Sequence, residues 1–140
     1  MRQARQTIAE RYTDAFCSLE ELVLPEIQPD CSTSWHLYIL RLRLSRLRVK
    51  RDSFIGALNE RGVCCSVHFI PLHLQPYYQR AYGYGSGDFP NAEQQYGSCL
   101  SLPIFPGMTD QEIEHVIRSV QETTAESRIL RGHAAVSPIA

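Results

Sequence analysis

"GVCCSVHFIPLHLQPYYQRAYGYG", Gly62 to Gly85, is the stretch on which the reading of the chain turns. Two adjacent cysteines, two histidines and four tyrosines lie between glycines, an inventory that suits a metal site, a nucleophile with its base, or a phosphate loop. The pattern speaks first of structure. Val63, Cys65, Val67 and Phe69 alternate with Cys64, Ser66 and His68, the period of a strand with one face toward a core. Pro71 breaks that strand, and Pro76 suits the first turn of a short helix carrying Tyr77, Tyr78, Ala81 and Tyr82. Residues 83–90, "GYGSGDFP", have the composition of a loop.

Strand geometry weighs against each local chemistry. Cys64 and Cys65 point to opposite faces, so they cannot both reach one ion, and His68 and His73 flank a proline with no second ligand pair at suitable spacing. Cys64 and His68 share a face but stand about 13 Å apart, and Ser66 and His68 about 7 Å, too far for a nucleophile and its base. Gly83, Gly85 and Gly87 fit neither the dinucleotide fingerprint nor the Walker loop. His68 stands out even so, on the side opposite the core residues and at a strand end leading into a turn, where ligand-binding side chains concentrate. A solvent-exposed histidine with no task fits the same pattern. His36, beside Trp35, reads as a half-buried sheet histidine.

Outward from this stretch the chain alternates helices and strands. Ile8, Tyr12, Ala15, Phe16 and Leu19 give the first helix an apolar face. "SWHLYILRLRL" predicts a strand from near Ser34, slipping phase at Ser45–Arg46. Asp52 is a plausible N-cap for a helix with an apolar stripe of Phe54, Ile55 and Leu58, and Gly62 suits the left-handed position that stops it. Asn91 with Gln94, and Thr109 with Glu112, have capping-box spacing. Ala92, Tyr96, Cys99 and Leu100 continue the first of these helices; Ile113, Val116, Ile117 and Val120 line the second. The order α-β-α-β-α-α-β-α predicts a small α/β fold, a sheet of about three strands with helices packed on one face. Residues 1–33 read as a lead-in helix and linker, 34–124 as the small domain, and 125–140 as a poorly ordered tail.

Composition narrows the function. The chain has 140 residues, 44% of them hydrophobic, enough for one packed core. Its net charge of -1 gives no reason to expect nucleic acid or a membrane surface as a partner. The cations between Arg41 and Arg51 alternate with leucines as on a solvated strand face, without the interleaved aromatics of a nucleic-acid site. There is no membrane-spanning run or signal segment, and the five irregularly spaced cysteines suit reduced thiols and a cytoplasmic location. Thirteen arginines accompany a single lysine, Lys50, in an arginine-rich turn where its amine should be solvated and protonated.

Taken together, "SWHLYILRL", "RDSFIGALNERGV", "SVHFIPLHLQPYYQRAYGY" and "FPNAEQQYGSCLSLPIFPGMTDQEIEHVI" resemble, in order and spacing, the C-terminal part of DegT/DnrJ/StrS-type sugar aminotransferases. The opening "RQARQTIAERYTDAF" resembles the helix leading into that part, so the resemblance covers residues 2 to about 122. It implies the C-terminal small domain of a fold-type-I enzyme. That enzyme uses pyridoxal phosphate to move an amino group from an amino acid such as glutamate onto a keto-sugar nucleotide. In such enzymes a large N-terminal domain supplies the coenzyme-binding lysine, its acidic partner and the phosphate cup, and none of these has a counterpart here. The resemblance therefore implies no cofactor bound by this chain alone, no catalytic residue within it, and as partners an N-terminal coenzyme domain or homodimer and a nucleotide sugar. His68 and Phe69 match the family's pair near the substrate at the mouth of the site, and His73 matches the second histidine of that element; all three are expected to be substrate-binding. The alternative from another class is a non-catalytic interaction module on the same fold.

Overall fold

A computed structural model describes residues 1–129. Three antiparallel strands form one sheet: β1 (Leu22–Val23), β2 (Tyr38–Leu42) and β3 (Cys99–Leu102), in that order, with Leu22 opposite Leu42 and Leu40 opposite Leu100. Tyr38, Leu40 and Leu42 alternate inward and meet Leu100 and Leu102 on the same face. Helices α1 (Arg2–Phe16), α2 (Arg51–Glu60) and α5 (Asp110–Ser127) close over that face, contributing Tyr12, Phe16, Phe54, Leu58, Ile113 and Val120 to one core. Two shorter helices, α3 (Pro76–Tyr82) and α4 (Pro90–Ser98), lie between α2 and β3. The expected class, a three-stranded sheet with helices packed on it as in the small domain of fold-type-I aminotransferases, is the fold observed.

Helix α5 carries the clearest local code. Thr109 Oγ1 accepts from the Glu112 amide at 3.3 Å while Glu112 accepts from the Thr109 amide at 2.7 Å, the reciprocal capping box its spacing predicts. Gly62 stops α2 at φ 78°, the conformation expected of it. The two helices are then latched. Glu126 takes two hydrogen bonds from Arg61 at 2.7 Å, and the Arg61 carbonyl accepts from His115 Nε2 at 2.7 Å. Helix α1 joins α5 through Arg11, which reaches Asp110 and Glu114 at 2.6 and 2.7 Å. The Tyr12 hydroxyl donates to the Pro103 carbonyl at 2.8 Å, tying α1 to the loop after β3.

Several expectations give way to tertiary structure. The strand foreseen from Ser34 begins only at Tyr38, because Trp35 is buried with a left-handed backbone, φ 49°, and its indole N–H donates to Gln6 at 2.7 Å. His36 is accordingly exposed rather than half-buried in a sheet. The strand foreseen over Val63–Phe69 shrinks to a single bridge, Ser66 opposite Ser101, at the free edge of β3. Val63 and Cys65 do face the core, but Val67 and Phe69 are 42% and 97% exposed. Helix α4 starts at Pro90 behind Phe89, with no side-chain cap from Asn91, and Cys99 and Leu100 belong to β3 rather than to the helix. Lys50, not Asp52, precedes α2 as its N-cap, and Arg51 turns inward instead of outward, its guanidinium over the Tyr96 ring and bonded to the Tyr96 carbonyl. Helix α5 runs past Ala125 to Ser127, and Arg128 then pairs with buried Glu21 at 2.6 Å. The rest of the expected tail, residues 130–140, lies outside the described residues.

Candidate functional site

The bridge at Ser66 fixes where the candidate residues sit. Its two backbone hydrogen bonds, 3.1 and 2.9 Å, lay residues 63–66 along β3. Alternation in β3 puts Leu100 and Leu102 into the core, leaving Ser101 on the other side of the strand. There the Ser101 hydroxyl meets His68 Nε2 at 2.9 Å. His68 is half-buried, so the ring is held at one nitrogen without being enclosed.

Phe69 follows with its side chain in solvent, the start of an apolar strip in which Ile70 and Leu72 are 47% and 66% exposed. Alternation cannot account for this strip. A phenylalanine left almost wholly in water forgoes about 1.5–3 kcal/mol of burial, so a run of such residues marks a surface shaped for contact.

His73 has a different setting. It lies in a turn of 3₁₀ helix, Leu72–Leu74, and is 6% exposed. The Phe89 ring covers it, centroids 4.8 Å apart, and its Nε2 is 3.1 Å from Glu93 Oε1 on α4. Glu93 also accepts from the Gly87 amide and the Ser86 hydroxyl, each at 2.7 Å. The Gly87 amide above all, then Ser86 and His73, hold the Glu93 carboxyl below the usual carboxylate range. One carboxylate thus ties the 3₁₀ turn, the glycine loop and α4 together. From Phe89 a chain of ring contacts runs outward through Tyr84, Tyr82, Tyr78 and Tyr77, with successive centroids 5.2–6.0 Å apart.

The structure therefore leaves Phe69 in solvent next to the half-buried His68 in the chain and sets His73 in the scaffold beside a neighbouring loop. Glu93 and Ser101 were not singled out from the sequence. Glu93 is six and seven residues from its loop partners and twenty from His73, so no local spacing announces it. Ser101 could have been found, since it alternates with two core leucines and so had to lie on the His68 side.

Coenzyme chemistry is tested by the same residues. Pyridoxal phosphate needs an amine held out of water, and Lys50 is exposed at the N-cap of α2. Among the described residues no three His, Cys, Asp or Glu side chains are placed to hold a metal ion. Burial pushes the Cys65 thiol up to about 12, with the Cys64 thiol adding to the shift, which makes Cys65 a core residue rather than a nucleophile. No helix of the described residues is long and apolar enough to cross a membrane.

Against known proteins, residues 1–121 match the DegT/DnrJ/EryC1/StrS aminotransferase family. An uncharacterized protein of Methanocaldococcus jannaschii is 44% identical over 91% of this chain and 33% of its own. Spore coat polysaccharide biosynthesis protein SpsC of Bacillus subtilis is 42% identical over 87% of this chain and 32% of its own. Among solved structures, DesV of S. venezuelae superposes with a TM-score of 0.78 at 31% identity, over 88% of this chain and 32% of that one. The chain spans about a third of the length of the relatives it matches. Solved relatives of this fold include one in a pyridoxal phosphate form. With its sheet, its helices and nearly its whole described length accounted for in this way, the chain belongs to the DegT/DnrJ/EryC1/StrS aminotransferase family.

Proposed function

We propose that this chain serves as the C-terminal small domain of a pyridoxal-phosphate-dependent sugar aminotransferase. In the assembled enzyme an amino acid such as glutamate donates the amino group and a keto-sugar nucleotide receives it. The lysine, the acid facing the coenzyme ring and the phosphate cup come from a large N-terminal coenzyme domain, and the chain alone does not transaminate. Its own contribution is a wall of substrate-binding residues: His68, held by Ser101, with Phe69 and His73, the last buried beside Glu93. The reaction is proposed to take place in the cytoplasm, with a homodimer as the complete assembly.

The observation that carries this reading is Phe69, 97% exposed beside a histidine anchored at one nitrogen. An apolar side chain so placed suits a covering surface, which we propose comes from a domain like the two-thirds of the relatives' length that this chain does not span. The test is reconstitution. The chain with pyridoxal phosphate alone is expected to give no borohydride-fixed coenzyme on Lys50. Co-expression with the N-terminal two-thirds of a relative such as SpsC is expected to give coenzyme-dependent transamination, abolished by Phe69→Asp. Transamination by the chain alone would refute the proposal. Stable association with the coenzyme domain but no turnover would favour the non-catalytic interaction module.

A further inference from the structure

The Ser101–His68 contact carries more than a position. Ser101 is 3% exposed, and its backbone N–H and C=O are both committed to the bridge with Ser66. Its hydroxyl therefore has one partner among the described residues, His68 Nε2 at 2.9 Å. Two directions are open to that hydrogen bond. If Nε2–H donates, the serine oxygen accepts and its own proton is left buried without an acceptor, which costs free energy. If the hydroxyl donates, its proton is satisfied and only a spare lone pair goes unused, which is the cheaper shortfall.

We infer that Ser101 is the positioning residue for His68: it donates to Nε2, so the neutral imidazole carries its proton on Nδ1 and presents an N–H donor beside Phe69. No described residue hydrogen-bonds Nδ1. A ring so fixed offers a directed donor, and its complement is an acceptor oxygen, whether a sugar hydroxyl, a carbonyl or a carboxylate. That this oxygen belongs to a substrate rests on the function proposed above. The tautomer and the role of Ser101 do not.

The molecule contains its own control. His115 Nε2 lies 2.7 Å from the Arg61 carbonyl, which can only accept, so His115 must carry its proton on Nε2. Long-range proton–nitrogen spectra of the histidine-labelled chain, at a pH well above the ordinary imidazole value of about 6.5, distinguish the two tautomers. We expect His68 with a protonated Nδ1 and a pyridine-like Nε2, and His115 the reverse. Ser101→Ala keeps both backbone hydrogen bonds and should convert His68 to mainly Nε2–H while leaving His115 unchanged. Ser101→Cys, a weaker donor of similar shape, should give a mixture. A wild-type His68 protonated at Nε2 overturns the inference by itself. So does a His68 tautomer indifferent to both substitutions. Neither readout needs coenzyme, substrate or a second domain, so a failed reconstitution leaves this result standing.

Discussion

Cys65 and Glu93 show how the fold sets the reactivity of single groups. Cys17, Cys31 and Cys64 are exposed, whereas Cys65 is partly buried and Cys99 is 7% exposed. With its thiol pushed up to about 12 by burial, Cys65 forms the reactive thiolate far less readily at pH 8 than an exposed thiol does. Timed iodoacetamide labelling read by peptide mass is expected to modify Cys17, Cys31 and Cys64 first, with Cys65 and Cys99 lagging by at least an order of magnitude. Equal rates would mean that residues 63–66 do not hold their place along β3. Glu93 works in the opposite direction. Its carboxyl is held below its ordinary 4.5, chiefly by the Gly87 amide, so its stabilising contribution is full above that value and is lost as pH falls through the lower folded value. Protection of the Gly87 amide against exchange is expected to collapse in that acidic window. In Glu93→Gln the dependence should vanish, since the amide side chain still accepts but no longer titrates there.

Two helix ends were legible because their signals are local, whereas the caps read at Asp52 and Asn91 do not form. The Thr109–Glu112 box and the Gly62 stop follow from a few residues of sequence and appear as read. Thr109→Ala is expected to lower unfolding stability by about 1 kcal/mol. Gly62→Ala is expected to cost about 1–2 kcal/mol, since an added Cβ meets only His115, at 3.8 Å, and the penalty is the left-handed backbone itself. Chemical denaturation measures both, and a neutral Gly62→Ala would show that α2 ends differently. What could not be read locally was decided by distant partners. Trp35 leaves the extended region because its indole finds Gln6 on α1, and Arg51 turns inward because Tyr96 offers both a ring face and a carbonyl. Val67 and Phe69 alternate like core residues yet lie open, because nothing among the described residues covers them. Alternation set His68 apart from Val63 and Cys65, and His68 is half-buried against Ser101 while those two face the core. The burial of His73 was not legible, since Phe89 and Glu93 come to it from another helix and its entry loop.

At the scale of the whole molecule, one face is finished and another is not. The core between sheet and helices is closed, with Tyr12, Tyr38, Phe16 and Phe54 fully buried. Between Phe69 and Tyr77 the chain leaves Phe69, Leu72 and Tyr77 each more than 60% exposed, apolar surface that water disfavours. The chain is expected to self-associate as concentration rises, with elution moving to larger apparent size and a hydrophobic dye binding more strongly. Phe69→Asp should suppress both without lowering the unfolding midpoint by more than the equivalent of about 0.5 kcal/mol, because that side chain touches no core. A chain that stays monomeric at every concentration would show the strip to be self-sufficient.

The lone pairing at Ser66 has a mechanical corollary. Two main-chain hydrogen bonds and one serine–histidine contact moor residues 63–69 to the rim of β3, whereas β2 and β3 share a ladder four residues long. Lifting residues 66–69 away forfeits those few bonds and leaves every rung of the three-stranded ladder intact, while Val63 and Cys65 stay packed against the core. The part of the molecule that bears His68 and Phe69 is therefore held to the sheet by few bonds. It is also the piece whose vacated rim would offer a stranger's backbone somewhere to pair.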